Sequence, residues 1–160
     1  TLRNHGMANR NIVNHFGTVS RMDNLQAAIL NFRLSKLGHV TQRRRGNAEV
    51  YFDGINMVDM YIPEEKTYEY NTYHTFVVQT EYRDKLKEHL LSNGIDTAIH
   101  YPIPIHLQLA SKKLGYKEGD FLITEKQSKQ ILTLPINQFL SEVDLERIIS
   151  VINQFEKDFL

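Results

Sequence analysis

Apolar side chains recur at three- and four-residue spacing in two long stretches, one near the beginning of the chain and one at its end. Such spacing puts them on one face of a helix. It predicts a helix over residues 22–52, or two helices with a bend near Gly38, and another helix behind Ser141 and Asp144. The apolar positions are Met22, Leu25, Ala28, Ile29, Phe32 and Leu37 in the first stretch and Leu145, Ile148, Ile149, Ile152 and Phe155 in the last.

The segment before the first helix carries a helix start signal. Ser20 and Asp23 stand three residues apart, so a hydroxyl can cap a free backbone amide while a carboxylate favours the positive helix end. Arg21 is then predicted on the first helical turn, where its guanidinium and the free amides suit a carboxylate or a phosphate; a surface ion pair is the alternative. The basic run 43–45 is interpreted as a solvated face, because no aromatic residue interrupts it.

Between these stretches, short runs of β-branched and aromatic residues alternate with further helical segments. Strands are predicted at 72–80, at 95–101 before Pro102, and at 132–136. Helices are predicted before Gly94, before Gly115 and within residues 119–130. This mixture predicts an α+β fold, in which helices pack against a small sheet.

Composition narrows the function classes. Nineteen Lys and Arg balance nineteen Asp and Glu among 160 residues, so no net field attracts nucleic acid or anionic lipid. The absence of cysteine excludes disulfides, thiolate zinc sites and a cysteine nucleophile. No apolar run approaches the ~18 residues of a membrane span, and the polar start lacks the core of a signal peptide. A cytoplasmic globular domain is expected, and a chain that opens on Thr1 is expected to be processed or part of a longer protein.

Generic catalytic motifs leave the function open. None of the seven histidines forms an H-x-x-x-H pair, and no acidic residue lies between His100 and His106, so no metal site is predicted. Phosphate-binding glycine loops and the acyl-transfer elbow are absent too. Besides Arg21, the remaining candidates are His100 and Tyr101, at a strand end that leads into a proline-stiffened loop. The alternative for His100 is a hydrogen-bonded, half-buried histidine without a ligand.

Taken in order, five strings resemble the DegT/StrS-like aminotransferases, which depend on pyridoxal 5'-phosphate (PLP) and act on keto sugars, usually as nucleotide sugars. The strings are LRNHGM (2–7), GTVSRMDNLQAAIL (17–30), YHTFVVQ (73–79), IDTAIHYPIPIHLQ (95–108) and LTLPI (132–136). They cover nearly the whole chain, which resembles only the C-terminal part of such an enzyme. The resemblance implies the small C-terminal domain of the aspartate-aminotransferase type. Its implied parts are the end of the cofactor-binding domain with an active-site loop (1–21), a connecting helix (22–52) and the small α+β domain (53–160).

The resemblance also implies the chemistry. A complete enzyme of this kind moves an amino group from glutamate or a similar donor to a keto sugar, in polysaccharide biosynthesis, as a homodimer whose active sites are shared across the interface. Its Schiff-base lysine is expected upstream of Thr1, so no catalytic residue is expected in these 160 residues. By the same match Arg21 binds the donor carboxylate or the sugar-nucleotide phosphates, and His100 and Tyr101 line the sugar pocket.

One residue departs from the family pattern. The GTVSR string is similar to a G-x-N-x-R loop that reaches the neighbouring subunit's active site, where its asparagine hydrogen-bonds the cofactor phosphate. Val19 stands at the asparagine position and offers no donor, which would remove about 1 kcal/mol or more of cofactor binding. Thr18, Ser20 or another residue would then have to bind the phosphate.

Two alternatives stay open. A PLP-dependent sugar dehydratase of the same family has histidine in place of the lysine, at a position that this chain does not contain. A non-catalytic dimerisation or binding module is consistent with Val19 and with the missing cofactor domain. The residues also leave open the sugar, its nucleotide, the aminated carbon and the amino donor.

Overall fold

The computed structural model describes residues 3–159 and, within the last helix, side chains as far as Phe155. Contacts between Cα atoms divide it into two compact units, with the boundary between His39 and Val40. Thr1, Leu2 of the LRNHGM string and Leu160 at the end of the predicted small domain lie outside the described residues. Among the helices that are described, none is long and apolar enough to cross a membrane.

The first unit begins with a two-stranded hairpin. In it, β1 (Met7–Asn9) pairs antiparallel with β2 (Ile12–Val13). Gly6 precedes the hairpin with a φ of +70°. A Cβ added there would lie 1.7 Å from the carbonyl oxygen of His15, so only glycine fits this turn.

The long helical stretch divides in two, as the second of the two predicted arrangements requires. Helix α1 spans Asn24–Leu34 and α2 spans Leu37–Gly54. The break falls at Ser35, whose hydroxyl donates to the carbonyl of Phe32 at 2.8 Å, while Gly38 lies inside α2. No residue of α1 is buried, and Leu25, Ile29 and Phe32 of its apolar stripe are exposed.

Helix α1 begins later than predicted. Its N-cap is Asp23, which has an extended backbone conformation. The Asp23 amide donates to Oε1 of Gln26 at 3.3 Å, as in a capping box. The prediction that Ser20 starts the helix is wrong, because the Ser20 amide donates to the carbonyl of Arg3 at 2.9 Å and so pairs with another segment. Arg21 consequently precedes the helix and does not lie on its first turn.

The second unit is a two-stranded sheet packed by helices. Strand β3 (Phe76–Gln79) pairs antiparallel with β4 (Ile131–Leu134), in a register that sets Phe76 opposite Leu134. The predicted α+β class is confirmed. The other elements are α3 (Arg83–Ser92), α4 (Leu122–Gln130), α5 (Glu142–Phe159) and two 3-10 turns at Ile105–Leu107 and Leu109–Leu114.

Two local signals act in this unit as the sequence predicts. Gly94 follows α3 with a φ of +75°, a left-handed conformation that glycine adopts without strain. Ser141 begins α5, since its Oγ accepts the amide of Asp144 at 3.2 Å and donates to Oδ2 of Asp144 at 2.7 Å. The hydrogen bonds that the hydroxyl and the backbone amide of Ser141 donate to Oδ2 of Asp144, at 2.7 and 2.9 Å, hold the pKa of Asp144 below its usual value.

The predicted strand over residues 95–101 is wrong. Only Ala98 pairs with the sheet, through a bridge to Thr133 whose N–O distances are 3.2 and 2.7 Å. Two residues later, His100 contacts the same threonine through its side chain, not its backbone. Pro102 has no amide hydrogen to donate, so the ladder does not continue beyond this point.

The core of the second unit joins α2 to the sheet. Tyr51 is fully buried, packs on Phe76 with 4.9 Å between ring centroids, and donates its hydroxyl to the carbonyl of Pro135 at 2.7 Å. Burial raises the pKa of Tyr51 above its usual value. Other side chains in this core that are at most 2% exposed are Ala48, Val78, Leu86, Leu90, Leu132, Leu134, Leu145, Ile152 and Phe155.

The interpretation of the basic run on α2 as a solvated face is wrong for Arg44 and Arg45, which are half-buried, whereas Arg43 is exposed. Arg44 donates to the carbonyl of Tyr73 at 3.1 Å. Arg45 pairs with both carboxylate oxygens of Glu65 at 2.8 Å and donates to the carbonyl of Asn71 at 2.7 Å. The partners stand 20 to 29 residues away in the sequence, which is why a local pattern does not identify them.

Replacing Glu65 with glutamine is expected to lower the melting temperature at neutral pH and to flatten its acid dependence. Hydrogen bonds from Arg45 and from the Asn71 amide hold the pKa of Glu65 below the ordinary value of 4.5. A carboxylate whose pKa is lowered by folding makes its full contribution to stability above pH 4.5. This contribution disappears as the pH falls through the folded-state pKa. Thermal unfolding from about pH 7 to about pH 3 measures the effect. Parallel curves for the wild type and Glu65→Gln would contradict it.

Candidate functional site

His100 and Tyr101 lie in a loop that is anchored on β4. Nδ1 of His100 is 2.9 Å from Oγ1 of Thr133, and the His100 ring meets the Tyr101 ring edge-on at 5.4 Å. Tyr101 is 72% exposed, and among the described residues no hydrogen bond occupies its hydroxyl. The loop therefore holds an oriented imidazole beside a phenol that is available to an external partner.

A buried hydrogen-bonded pair holds the far end of the same loop. Nε2 of His106 lies 2.9 Å from Oε1 of Glu125, and the two side chains are 6% and 10% exposed. Glu125 also accepts the amide of Gly119 at 3.0 Å and the amide of Phe121 at 3.3 Å. Burial alone would raise the pKa of Glu125, but the hydrogen bonds from Gly119, His106 and Phe121 lower it below the ordinary value. The carboxylate therefore stays ionised at a buried position.

The sequence interpretation missed the pair of His106 and Glu125. The two residues stand 19 positions apart, on a 3-10 turn and on α4, and no local spacing connects them. Among the described side chains, which end at Phe155, no three of His, Asp or Glu gather as a metal site would require.

The other predicted site residues lie in the first unit, on a paired segment. Val19 forms an antiparallel bridge with Asn4. The Ser20 amide donates to the carbonyl of Arg3 at 2.9 Å, and Nε of Arg3 donates to the carbonyl of Ser20 at 2.8 Å. The backbone of this loop is therefore held in place while the side chain of Val19 is 60% exposed.

Arg21 follows this segment, and its side chain is exposed. No hydrogen bond or salt bridge within the described part of the chain occupies its guanidinium, which disfavours the surface ion pair as an explanation. An unpaired guanidinium presents five donors in a fork that matches a carboxylate or a phosphate. Because Val19 has no polar side-chain atom, the side-chain donors that this loop offers are those of Thr18, Ser20 and Arg21.

The five strings that suggested a family can now be compared with whole proteins. The sequence matches the DegT/DnrJ/EryC1/StrS aminotransferase family over residues 1–153. The chain belongs to this family. The family resemblance predicted from the strings is thereby confirmed. The match includes the segment with Val19, Ser20 and Arg21 in the first unit and the His100 loop in the second.

Two kinds of relative support the family assignment. The dTDP-3-amino-3,6-dideoxy-alpha-D-galactopyranose transaminase of Aneurinibacillus thermoaerophilus is 35% identical over 155 residues, which are 96% of this chain and 42% of that protein. Among solved structures, DesV of S. venezuelae has a TM-score of 0.93 at 34% identity and covers 99% of this chain and 43% of its own. NtdA of Bacillus subtilis, solved with bound cofactor PMP, has a TM-score of 0.87 at 27% identity, with coverage of 98% and 38%. The chain therefore spans 38–43% of the length of these three relatives.

Proposed function

We propose that this chain forms the C-terminal part of a PLP-dependent aminotransferase that moves an amino group from glutamate, or a similar donor, to a nucleotide-linked keto sugar. The observation that supports this most directly is the fold match to DesV, with a TM-score of 0.93 over 99% of the chain. The dTDP-sugar transaminase of A. thermoaerophilus supports a sugar that carries a nucleotide.

The donors of the first-unit loop suit a cofactor that bears a phosphate, even with valine at position 19. Ser20 is exposed, and Arg21 has no partner among the described residues. NtdA, solved with PMP, supports this cofactor class. When bound, PLP supplies an electron sink for the transfer of nitrogen. We assign Ser20 to the cofactor phosphate and Arg21 to the anionic part of a substrate, either the donor carboxylate or the nucleotide phosphates.

His100 and Tyr101 suit the hydroxyl groups of a sugar. The Tyr101 phenol can donate to a hydroxyl or accept from one, and the imidazole of His100 is oriented by Thr133 at 2.9 Å. Hydrogen bonds of this kind orient the sugar so that its ketone faces the transferred nitrogen.

The proposed architecture follows the predicted parts. Residues 1–21 complete the cofactor-binding domain and form the active-site loop, and residues 22–52 connect this domain to the small domain. Residues 53–160 form the small domain, and the whole protein is a homodimer whose subunits share the active sites. Helix α1 supports a protein interface, because Leu25 is 73% exposed and Phe32 is 64% exposed on its apolar stripe. Apolar helix faces of this kind are normally covered by another protein surface.

The test of the function uses the complete protein that contains this chain, loaded with PLP. A panel of nucleotide-linked keto sugars is incubated with glutamate, and products are identified by mass spectrometry. The proposal requires that one ketone is replaced by an amine while glutamate is converted to 2-oxoglutarate. Loss of water from the sugar without nitrogen transfer would favour the dehydratase, and no turnover of any sugar despite bound PLP would favour a binding module.

The isolated 160-residue chain is expected neither to bind PLP stoichiometrically nor to transaminate. None of its lysines lies in a context that matches the family's Schiff-base lysine, so a covalent attachment point is missing. The visible spectrum of the purified chain after incubation with PLP and gel filtration measures this. A borohydride-reducible band at one equivalent, assigned to a single lysine, would contradict the prediction.

A further inference from the structure

One continuous segment holds both ends of the loop that carries His100 and Tyr101. At the beginning of the loop, Ala98 pairs with Thr133 of β4. At its end, His106 contacts Glu125 of α4 at 2.9 Å. Helix α4 ends at residue 130 and β4 begins at residue 131, so the two anchors belong to one helix–strand segment with no intervening loop.

Most residues between these anchors are exposed, although Ile99 is half-buried and Pro104 is buried. Ile103 is 51% exposed and Ile105 is 78% exposed, whereas His106 is 7% exposed. The other polar contacts at this end stay within the loop, since Ser111 Oγ donates to the carbonyl of Ile105 at 2.6 Å and Gln108 Nε2 donates to the carbonyl of Ile103 at 3.3 Å. Among the described hydrogen bonds, the one between His106 and Glu125 is therefore the bond that attaches this end of the loop to α4.

Further contacts hold both side chains of this attachment in place. The Glu125 carboxylate accepts hydrogen bonds from the amides of Gly119 and Phe121 in addition to the one from His106. These bonds fix the position of the carboxylate relative to the start of α4. The His106 ring also packs on the Phe121 ring, with 4.8 Å between centroids. Buried groups held by several hydrogen bonds keep one geometry, which is what a supporting shell around a binding site requires.

We propose that His106 and Glu125 are positioning residues of the sugar site: the pair fixes where the loop presents His100 and Tyr101 to the keto sugar. The inference rests on the proposed function, because it assigns the loop to the sugar. Neither residue needs to touch the substrate. A misplacement of about 1 Å in a site can cost up to about 100-fold in rate, so loss of the anchor should be measurable in the sugar step alone.

The test compares Glu125→Gln with Glu65→Gln in the complete, PLP-loaded protein. Glu65 is a matched control, because its carboxylate also accepts a hydrogen bond from a side chain and one from a backbone amide, but it holds a different loop. Glu125→Gln should lower kcat/KM for the keto sugar roughly 5-fold or more. The rate of the half-reaction in which glutamate converts the cofactor to its amine form should change less than about 2-fold. It should also speed hydrogen–deuterium exchange of the amides of residues 98–111. Glu65→Gln should do neither.

A second pair of variants guards against misfolding of the Glu125 variant. His106→Gln keeps a donor for the Glu125 carboxylate and should retain most of the sugar-step activity that His106→Ala loses. If loop exchange is unchanged in Glu125→Gln and His106→Ala, or if both half-reactions fall equally, the positioning role is overturned. A wild-type protein that aminates no sugar would overturn the proposed function instead, and the exchange data would still decide whether the pair holds the loop.

Discussion

Replacing Arg21 with alanine is expected to reduce kcat/KM roughly 10- to 100-fold for the substrate whose anion it binds. The guanidinium is exposed and has no partner among the described residues, so its forked donors are available to a carboxylate or phosphate. Losing a charge-assisted hydrogen bond of this kind costs about 1.5–3 kcal/mol of ligand interaction. Folding stability should change by no more than about 0.5 kcal/mol, since no hydrogen bond or salt bridge among the described residues is lost. Steady-state kinetics with each substrate varied separately will identify which anion is bound.

Two variants control for the loss of positive charge. Arg10→Ala removes another exposed arginine of the same unit and is expected to leave both Michaelis constants unchanged. Arg21→Lys keeps the charge but not the fork, and it should recover only part of the lost activity. Unchanged turnover and Michaelis constants in Arg21→Ala would restrict Arg21 to an ordinary surface role.

Tyr101→Phe and His100→Ala are each expected to impair amino transfer to the keto sugar roughly 10-fold while leaving the glutamate half-reaction nearly intact. Each change removes about one hydrogen bond to the sugar, at the upper end of the usual net value of about 1.5 kcal/mol. The double variant should lose roughly 100-fold if the two contacts are independent, and less if the ring contact at 5.4 Å couples them. Single-turnover spectra resolve the two half-reactions of the complete enzyme.

Thr133→Val is the companion variant for His100. It removes the hydroxyl that lies 2.9 Å from Nδ1 of His100 while keeping nearly the same shape, so it should reproduce part of the His100→Ala defect. Equal losses in both half-reactions, or loss of folded protein in all three variants, would assign these residues to the cofactor or to the core.

Elements with strong local signals could be predicted from the sequence. The five apolar residues of α5 and its start at Ser141 and Asp144 appear in the structure as predicted, as does the end of α3 at Gly94. Helix periodicity, capping and left-handed glycine depend on residues within about four positions of one another. The start signal formed by Ser20 and Asp23 misplaced the beginning of α1, because the Ser20 amide pairs with the carbonyl of Arg3 and Asp23 is the N-cap.

Strand pairing was less predictable, because it depends on distant partners. Residues 95–101 have strand-like composition, yet only Ala98 pairs, since Thr133 is the single position at which β4 meets this segment. The candidate site was likewise predicted in part. His100 and Tyr101 stood out by their place before a proline, whereas the histidine and glutamate that anchor their loop did not.

The sequence by itself therefore determined the family, the α+β class and the helices whose signals are local. Only the tertiary structure decided what several charged side chains do. The sequence predicts a solvated Arg45, but in the structure its guanidinium lies 2.8 Å from the Glu65 carboxylate. The partner of His106 is Glu125, which stands 19 residues further along the chain on another element. The physical reason is common to both: the position of such a partner is set by how helices, turns and loops pack, and spacing along one element carries no information about it.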